Sequence, residues 1–92
     1  MVKAVEETLT LCNQKGLHAR AAALFVQTAS KFKAKITVHH RGEAANGKSI
    51  MNLMILAAPC GSALRVQAEG EDAVQAIVAL KELIHARFGE DR

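Results

Sequence analysis

The sequence predicts a two-layer α+β sandwich with the element order β-α-β-β-α-β-α. Three observations carry this. Short segments alternate apolar and polar side chains with a period of two, so each would bury one face of a sheet. Between them lie stretches whose apolar residues recur every three or four positions, as one face of a helix requires. And 92 residues is enough for one core, with both layers built around it, but too short for two.

The first strand is expected over Glu7-Thr8-Leu9-Thr10-Leu11 and ends at Asn13-Gln14-Lys15-Gly16. Ala19 opens a helix whose apolar stripe is Ala22, Phe25, Val26, Ala29 and Phe32. Lys31 and Lys33 fall near its end, where cations suit the helix dipole. Lys35 to His40 reads as a strand with Ile36, Val38 and His40 on one side, and Arg41-Gly42-Glu43 turns it into a short strand near Glu43 to Ala45. Asn46-Gly47 stops that strand, and Ser49 is a good N-cap for a second helix from Ile50 to about Leu56. After a turn at Pro59-Cys60-Gly61-Ser62, residues 63–69 alternate again with Leu64, Val66 and Ala68 inward. The longest helix follows Gly70-Glu71-Asp72, with a stripe of Val74, Ile77, Leu80, Ile84 and Phe88. His85 and Arg87 are expected in its last turn, and Gly89 as its stop.

Composition removes several function classes. No segment approaches the roughly 20 apolar residues of a membrane span. The N-terminal stretch meets Glu6 and Glu7 before any hydrophobic run, so no secretory signal is expected. Cys12 and Cys60 form no zinc or disulfide pattern and read as small hydrophobes in a reducing cytoplasm. His39 and His40, adjacent on a strand, point to opposite faces and make no metal pair. No metal or cofactor is expected. Charge is uneven: residues 1–50 hold eight basic and three acidic side chains, and residues 51–92 hold four and six. An acidic partner for the first half follows. An RNA-binding module would need exposed aromatics to stack bases. The only aromatics, Phe25, Phe32 and Phe88, all lie on apolar stripes, so no nucleic acid partner is expected.

Two features exceed what packing needs. His18 falls at the junction of a loop and the first helix, so the backbone amides of Ala19 and Arg20 lack partners within the helix. With the Arg20 guanidinium they could hold a phosphoryl group while the His18 ring acts as nucleophile. The plain alternative is a helix-capping His18 with a solvated Arg20, and spacing alone leaves both open. The second feature is the run after Ser49, apolar except for Asn52. Ile50, Leu53 and Met54 or Leu56 would supply a buried side. The remainder, Met51 with Leu53 or Met54 at its margin, would form an exposed docking patch.

Gly16-Leu17-His18-Ala19-Arg20, Val26-Gln27-Thr28-Ala29-Ser30-Lys31 and Lys48-Ser49-Ile50-Met51 resemble HPr, the histidine-containing phosphocarrier of the phosphoenolpyruvate-dependent phosphotransferase system. The likeness runs from about Glu7 to Gly89. It implies one HPr-like domain over 1–92, an open-faced sandwich with a four-stranded antiparallel sheet and three helices on one face. It implies that His18 accepts a phosphoryl group from enzyme I through Nδ1 and passes it to an enzyme IIA-type domain. Arg20 would neutralise the phosphoryl oxygens, and Ser49 would be the regulatory serine of HPr kinase/phosphorylase. Met51, Leu53 and Met54 would lie in the docking region. The carrier would be a cytoplasmic monomer consumed and regenerated stoichiometrically, not an enzyme, and would serve either sugar uptake or the nitrogen-related branch. Three positions depart from the family pattern: Ala21 replaces the usual Pro, Lys15 replaces Ser or Asn, and Asn52 replaces a small residue. None removes a group the transfer needs. A rival is an interaction domain that keeps this fold without phosphorylation.

Overall fold

The computed structural model describes residues 3–92; Met1 and Val2, which belong to the N-terminal stretch argued above, lie outside the described residues. The order is β1 (Ala4–Thr10), α1 (Ala19–Ala29), β2 (Lys35–His40), β3 (Glu43–Asn46), α2 (Ile50–Ile55), β4 (Ala63–Glu69) and α3 (Ala73–His85), followed by a 3₁₀ turn over Arg87–Gly89. The strands form one antiparallel sheet in the order β1-β4-β2-β3. That is the open-faced α+β sandwich expected from the pattern and the resemblance.

Register explains the core. Leu9 lies opposite Leu64, Ile36 opposite Ala68, and Val38 opposite both Val66 and Ala45. One face of the sheet is therefore an aliphatic surface, and all of these side chains are buried. α3 lies against β1 and β4, α2 against β3, and α1 against both helices. Phe25 of α1 is fully enclosed, as are Ala21, Ala22 and Ala29 beside it. The outer face carries polar pairs instead. Arg65 donates to Glu6 at 2.8 Å, Gln67 donates to the same carboxylate, and His39 bonds Gln67. His40, one residue on, is buried on the opposite face. Among the described residues, no group of three His, Cys, Asp or Glu side chains could hold a metal ion, and no helix is long and apolar enough to cross a membrane.

Several boundaries and faces differ from expectation. β1 begins at Ala4, because the ladder with β4 extends back to Glu69, and it ends at Thr10. α1 stops at Ala29, so Lys31 and Lys33 lie beyond its last turn; Val26 and Phe32 are half-buried rather than central. In α3 the inward stripe is Ala73, Ala76, Ile77, Leu80 and Ile84, and Val74 is 46% exposed. Small Ala73 and Ala76 face inward here, and Val74 is turned about 100° from Ala73. Phe88 is buried but does not continue the stripe, since the helix ends at His85. Cys12 and Cys60 are exposed rather than core residues, with the Cys12 thiol donating to the Ile84 carbonyl.

Asp72, the N-cap of α3, ties that helix to the α1–β2 connection. Its carboxylate accepts the backbone N–H groups of Lys33 (2.8 Å) and Ala34 (2.9 Å). The Lys33 bond, more than any other cause, holds its carboxyl below its ordinary value. A depressed folded value stabilises the protein above the unfolded carboxylate range, and that contribution is lost as pH falls through the folded value. Asp72→Asn is therefore expected to lower the denaturation midpoint at pH 7 and to have less effect in acid, measured by urea melts across pH 2–7.

Candidate functional site

The site begins with a tethered loop. Gly16 has φ +65°, a left-handed conformation that glycine adopts freely. A Cβ there would collide with Ala58 and lie 2.8 Å from the Pro59 Cα. Close approach lets the Leu17 N–H donate to the Ala58 carbonyl at 2.9 Å while the Leu17 side chain enters the core. The Asn13 carbonyl accepts the Gly16 N–H, and the Asn13 side chain returns a bond to the Gly16 carbonyl at 2.7 Å. With both neighbours fixed, His18 emerges as the N-cap of α1, in extended backbone.

His18 does not cap with its side chain, and the first turn of α1 holds no acidic residue. The first intrahelical bond in this turn runs from the Ala22 N–H to the His18 carbonyl. The amides of Ala19 and Arg20 lie ahead of it, at the positive end of the helix. The imidazole is 25% exposed, within reach of solvent and of a partner.

The partner of that ring was not foreseen from the sequence. Glu90 Oε2 lies 2.5 Å from His18 Nε2 and 3.7 Å from the Arg20 guanidinium, and the carboxylate is only 7% exposed. Its other oxygen accepts from Asn13 Nδ2 at 3.0 Å. Burial pushes the Glu90 carboxyl up, but the Asn13 and His18 hydrogen bonds and the pull of His18 and Arg20 outweigh it, leaving the group below its usual value. The chain delivers Glu90 by an abrupt reversal: Arg87, Phe88 and Gly89 all have positive φ, at 55°, 54° and 77°. Left-handed geometry at two successive non-glycine residues is costly, and burial of Phe88 holds it in place. Gly89, expected only as a helix stop, was the one signal of this reversal. Lys15, Arg20, Glu90 and Arg92 line an open hollow of about 370 Å³, which His18 itself does not line.

Ser49 caps α2 as expected: its Oγ accepts the Asn52 N–H at 3.3 Å. Asn52 also accepts the Asn46 N–H through its Oδ1, which gives this departure from the family pattern a local structural role. The face of α2 is partly as expected. Met51 is 74% exposed and Met54 is also exposed, but Leu53 is fully buried and presents nothing to a partner. Its place in the docking set is therefore corrected. On a helix of six residues the single inward position falls at Leu53, followed by the buried cap Leu56. Ile50 and Ile55 are exposed instead, so the apolar patch is broader than the methionines alone. It lies three residues from Ala58, whose carbonyl holds Leu17.

The family model described as "PTS HPr component phosphorylation site" matches residues 5–86. The chain belongs to the HPr family. An HPr phosphocarrier protein of Xylella fastidiosa is 49% identical over 87 residues, covering 95% of this chain and 98% of that one. The crystal structure of an HPr from Thermoanaerobacter tengcongensis superposes with a TM-score of 0.92 at 48% identity, covering 96% of this chain and 99% of that chain. An HPr crystal structure from Bacillus anthracis gives 0.85 at 41% identity, covering 88% and 96%. The protein is thus an HPr-type phosphocarrier of the phosphotransferase system. All three aromatics of this HPr lie in or against the core.

Proposed function

We propose that His18 of this HPr accepts a phosphoryl group from phospho-enzyme I on Nδ1 and passes it to an enzyme IIA-type domain. The observation that carries this is the partly exposed His18 ring at the N-terminus of α1, with no side-chain cap bond and no acidic residue in the first turn. Transfer is in-line: the donor N–P bond breaks as the bond to His18 forms, and little covalent chemistry is asked of the protein beyond positioning and charge stabilisation. The Arg20 guanidinium and the amides of Ala19 and Arg20 neutralise the phosphoryl oxygens. Met51 and Met54, with Ile50 and Ile55 beside them, supply an adaptable apolar docking face for successive partners. Each complex must dissociate, so the interface is modest and transient. The protein acts as a cytoplasmic monomer, one domain that is phosphorylated and discharged without turnover of its own and without a cofactor.

The test is incubation with phosphoenolpyruvate and enzyme I, followed by intact mass at neutral and acid pH. A single acid-labile phosphoryl adduct is expected, and its absence with a competent enzyme I overturns the proposal. Ser49 is the second modification site, the target of HPr kinase/phosphorylase. A phosphate there brings about −1.5 to −2 charges to the edge of the apolar face and hinders docking. Ser49→Asp is expected to slow phosphoryl transfer from enzyme I to His18; an unchanged rate removes the inhibitory role.

A further inference from the structure

We propose that Glu90 is a positioning residue for the transfer: it holds the proton on Nε2 of His18, so that the lone pair of the uncharged ring is on Nδ1. This rests on the proposal that His18 accepts the phosphoryl group. The geometry is direct. A carboxylate held below its usual titration range accepts hydrogen bonds and donates none. At 2.5 Å from Nε2, it fixes the tautomer in which Nε2 carries the hydrogen. The other ring nitrogen is then the nucleophile.

Asn13 shows that this placement is built in. Both contacts of its Nδ2 are acceptors, the Gly16 carbonyl and Glu90 Oε1, so the amide cannot be turned around without setting oxygen against oxygen. Its Oδ1 is left buried without a partner. A fully enclosed side chain that leaves one atom unsatisfied while spending its amide group on the loop and on Glu90 has a defined task. That task is to hold the carboxylate over the ring.

The step balances without a proton leaving. As the donor N–P bond breaks, its electron pair returns to the donor nitrogen, and the Nδ1 lone pair of His18 forms the new N–P bond. Nε2 keeps its hydrogen, the ring becomes cationic, and Glu90 faces that charge. In the onward transfer the Nδ1–P pair returns to the ring, and Glu90 again sets where the hydrogen stays.

Two variants separate the parts. Glu90→Ala removes both acceptor and charge; Glu90→Gln keeps an acceptor and removes the charge. Nitrogen-15 chemical shifts of the unphosphorylated His18 ring, read at alkaline pH, report the tautomer. The wild type is expected to hold the hydrogen on Nε2, Glu90→Ala to populate both tautomers, and Glu90→Gln to stay near the wild type. Phosphoryl acceptance from enzyme I is expected to slow about tenfold in Glu90→Ala, and by less in Glu90→Gln. If Glu90→Ala keeps the wild-type tautomer, or if its rate changes by less than about twofold, the assignment is overturned. A wild-type protein that accepts no phosphoryl group at all refutes the carrier proposal instead, because the tautomer measurement needs no transfer. Glu90→Gln, which preserves the shape of the side chain, keeps the question decidable if Glu90→Ala disturbs the fold.

Discussion

His18→Ala is expected to abolish the acid-labile phosphoryl adduct while leaving the sheet and core intact. Nothing in the core touches the chemistry of this ring: it is partly exposed, its side chain makes no cap bond, and its backbone position is set by Leu17 and Gly16. The structural cost is confined to the lost bond with Glu90. That carboxylate keeps Asn13 and lies near Arg20, so the loss is about 1 kcal/mol, a few degrees in melting temperature. Intact mass after incubation with enzyme I reads the first effect, and a thermal melt reads the second. An adduct that survives in the variant places the acceptor elsewhere; a collapse of the fold means the ring is structural. The rival interaction domain predicts partner binding unaltered by this change and no adduct in either protein.

Phe88→Ala carries the largest expected loss of stability tied to the site. Phe88 is buried, and truncating a buried Phe costs about 3–5 kcal/mol, a large share of what a small domain has. For a chain of this size that lowers the melting temperature by roughly 15 °C or more. The effect reaches further than packing. Positive φ at Arg87 and Phe88 persists because the ring is anchored, and without the anchor the two residues relax to ordinary backbone geometry. Glu90 then leaves Asn13 and His18. The nitrogen-15 signature of the His18 ring should change in this variant at temperatures where it remains folded. A ring signature identical to the wild type would mean that Glu90 is held independently of Phe88.

The difference between what could and could not be seen in the residues follows from the range of the forces involved. Strands β2 and β4 and the cap at Ser49 were legible because alternation and capping are local and repeat within a few positions. His18 was legible as a helix-start histidine, though its chemistry came from the family likeness and not from spacing. In α3 the stripe of Ile77, Leu80 and Ile84 faces inward as expected, but Val74 was misplaced, because apolar residues at Ala73, Val74, Ala76, Ile77 and Val78 offer more than one way to widen that stripe, and it is Ala73 and Ala76 that turn inward. Leu53 was ambiguous for the same reason on a shorter helix. Glu90 had no local signal beyond the neighbouring Gly89. It lies 72 positions from His18, and only the reversal through two left-handed non-glycine residues, which no residue type announces, brings them together.

The sheet order β1-β4-β2-β3 has a consequence for biosynthesis. β4 is the strand that joins β1 to β2, and it is the last to be made. Until Ala63–Glu69 has cleared the ribosome tunnel, the N-terminal strand has no neighbour and the β2–β3 hairpin stands alone, a unit only marginally stable in water. The nascent chain therefore gains its core in one event, once β4 has emerged. Ribosome-bound chains halted before residue 63 should remain protease-sensitive along their whole emerged length.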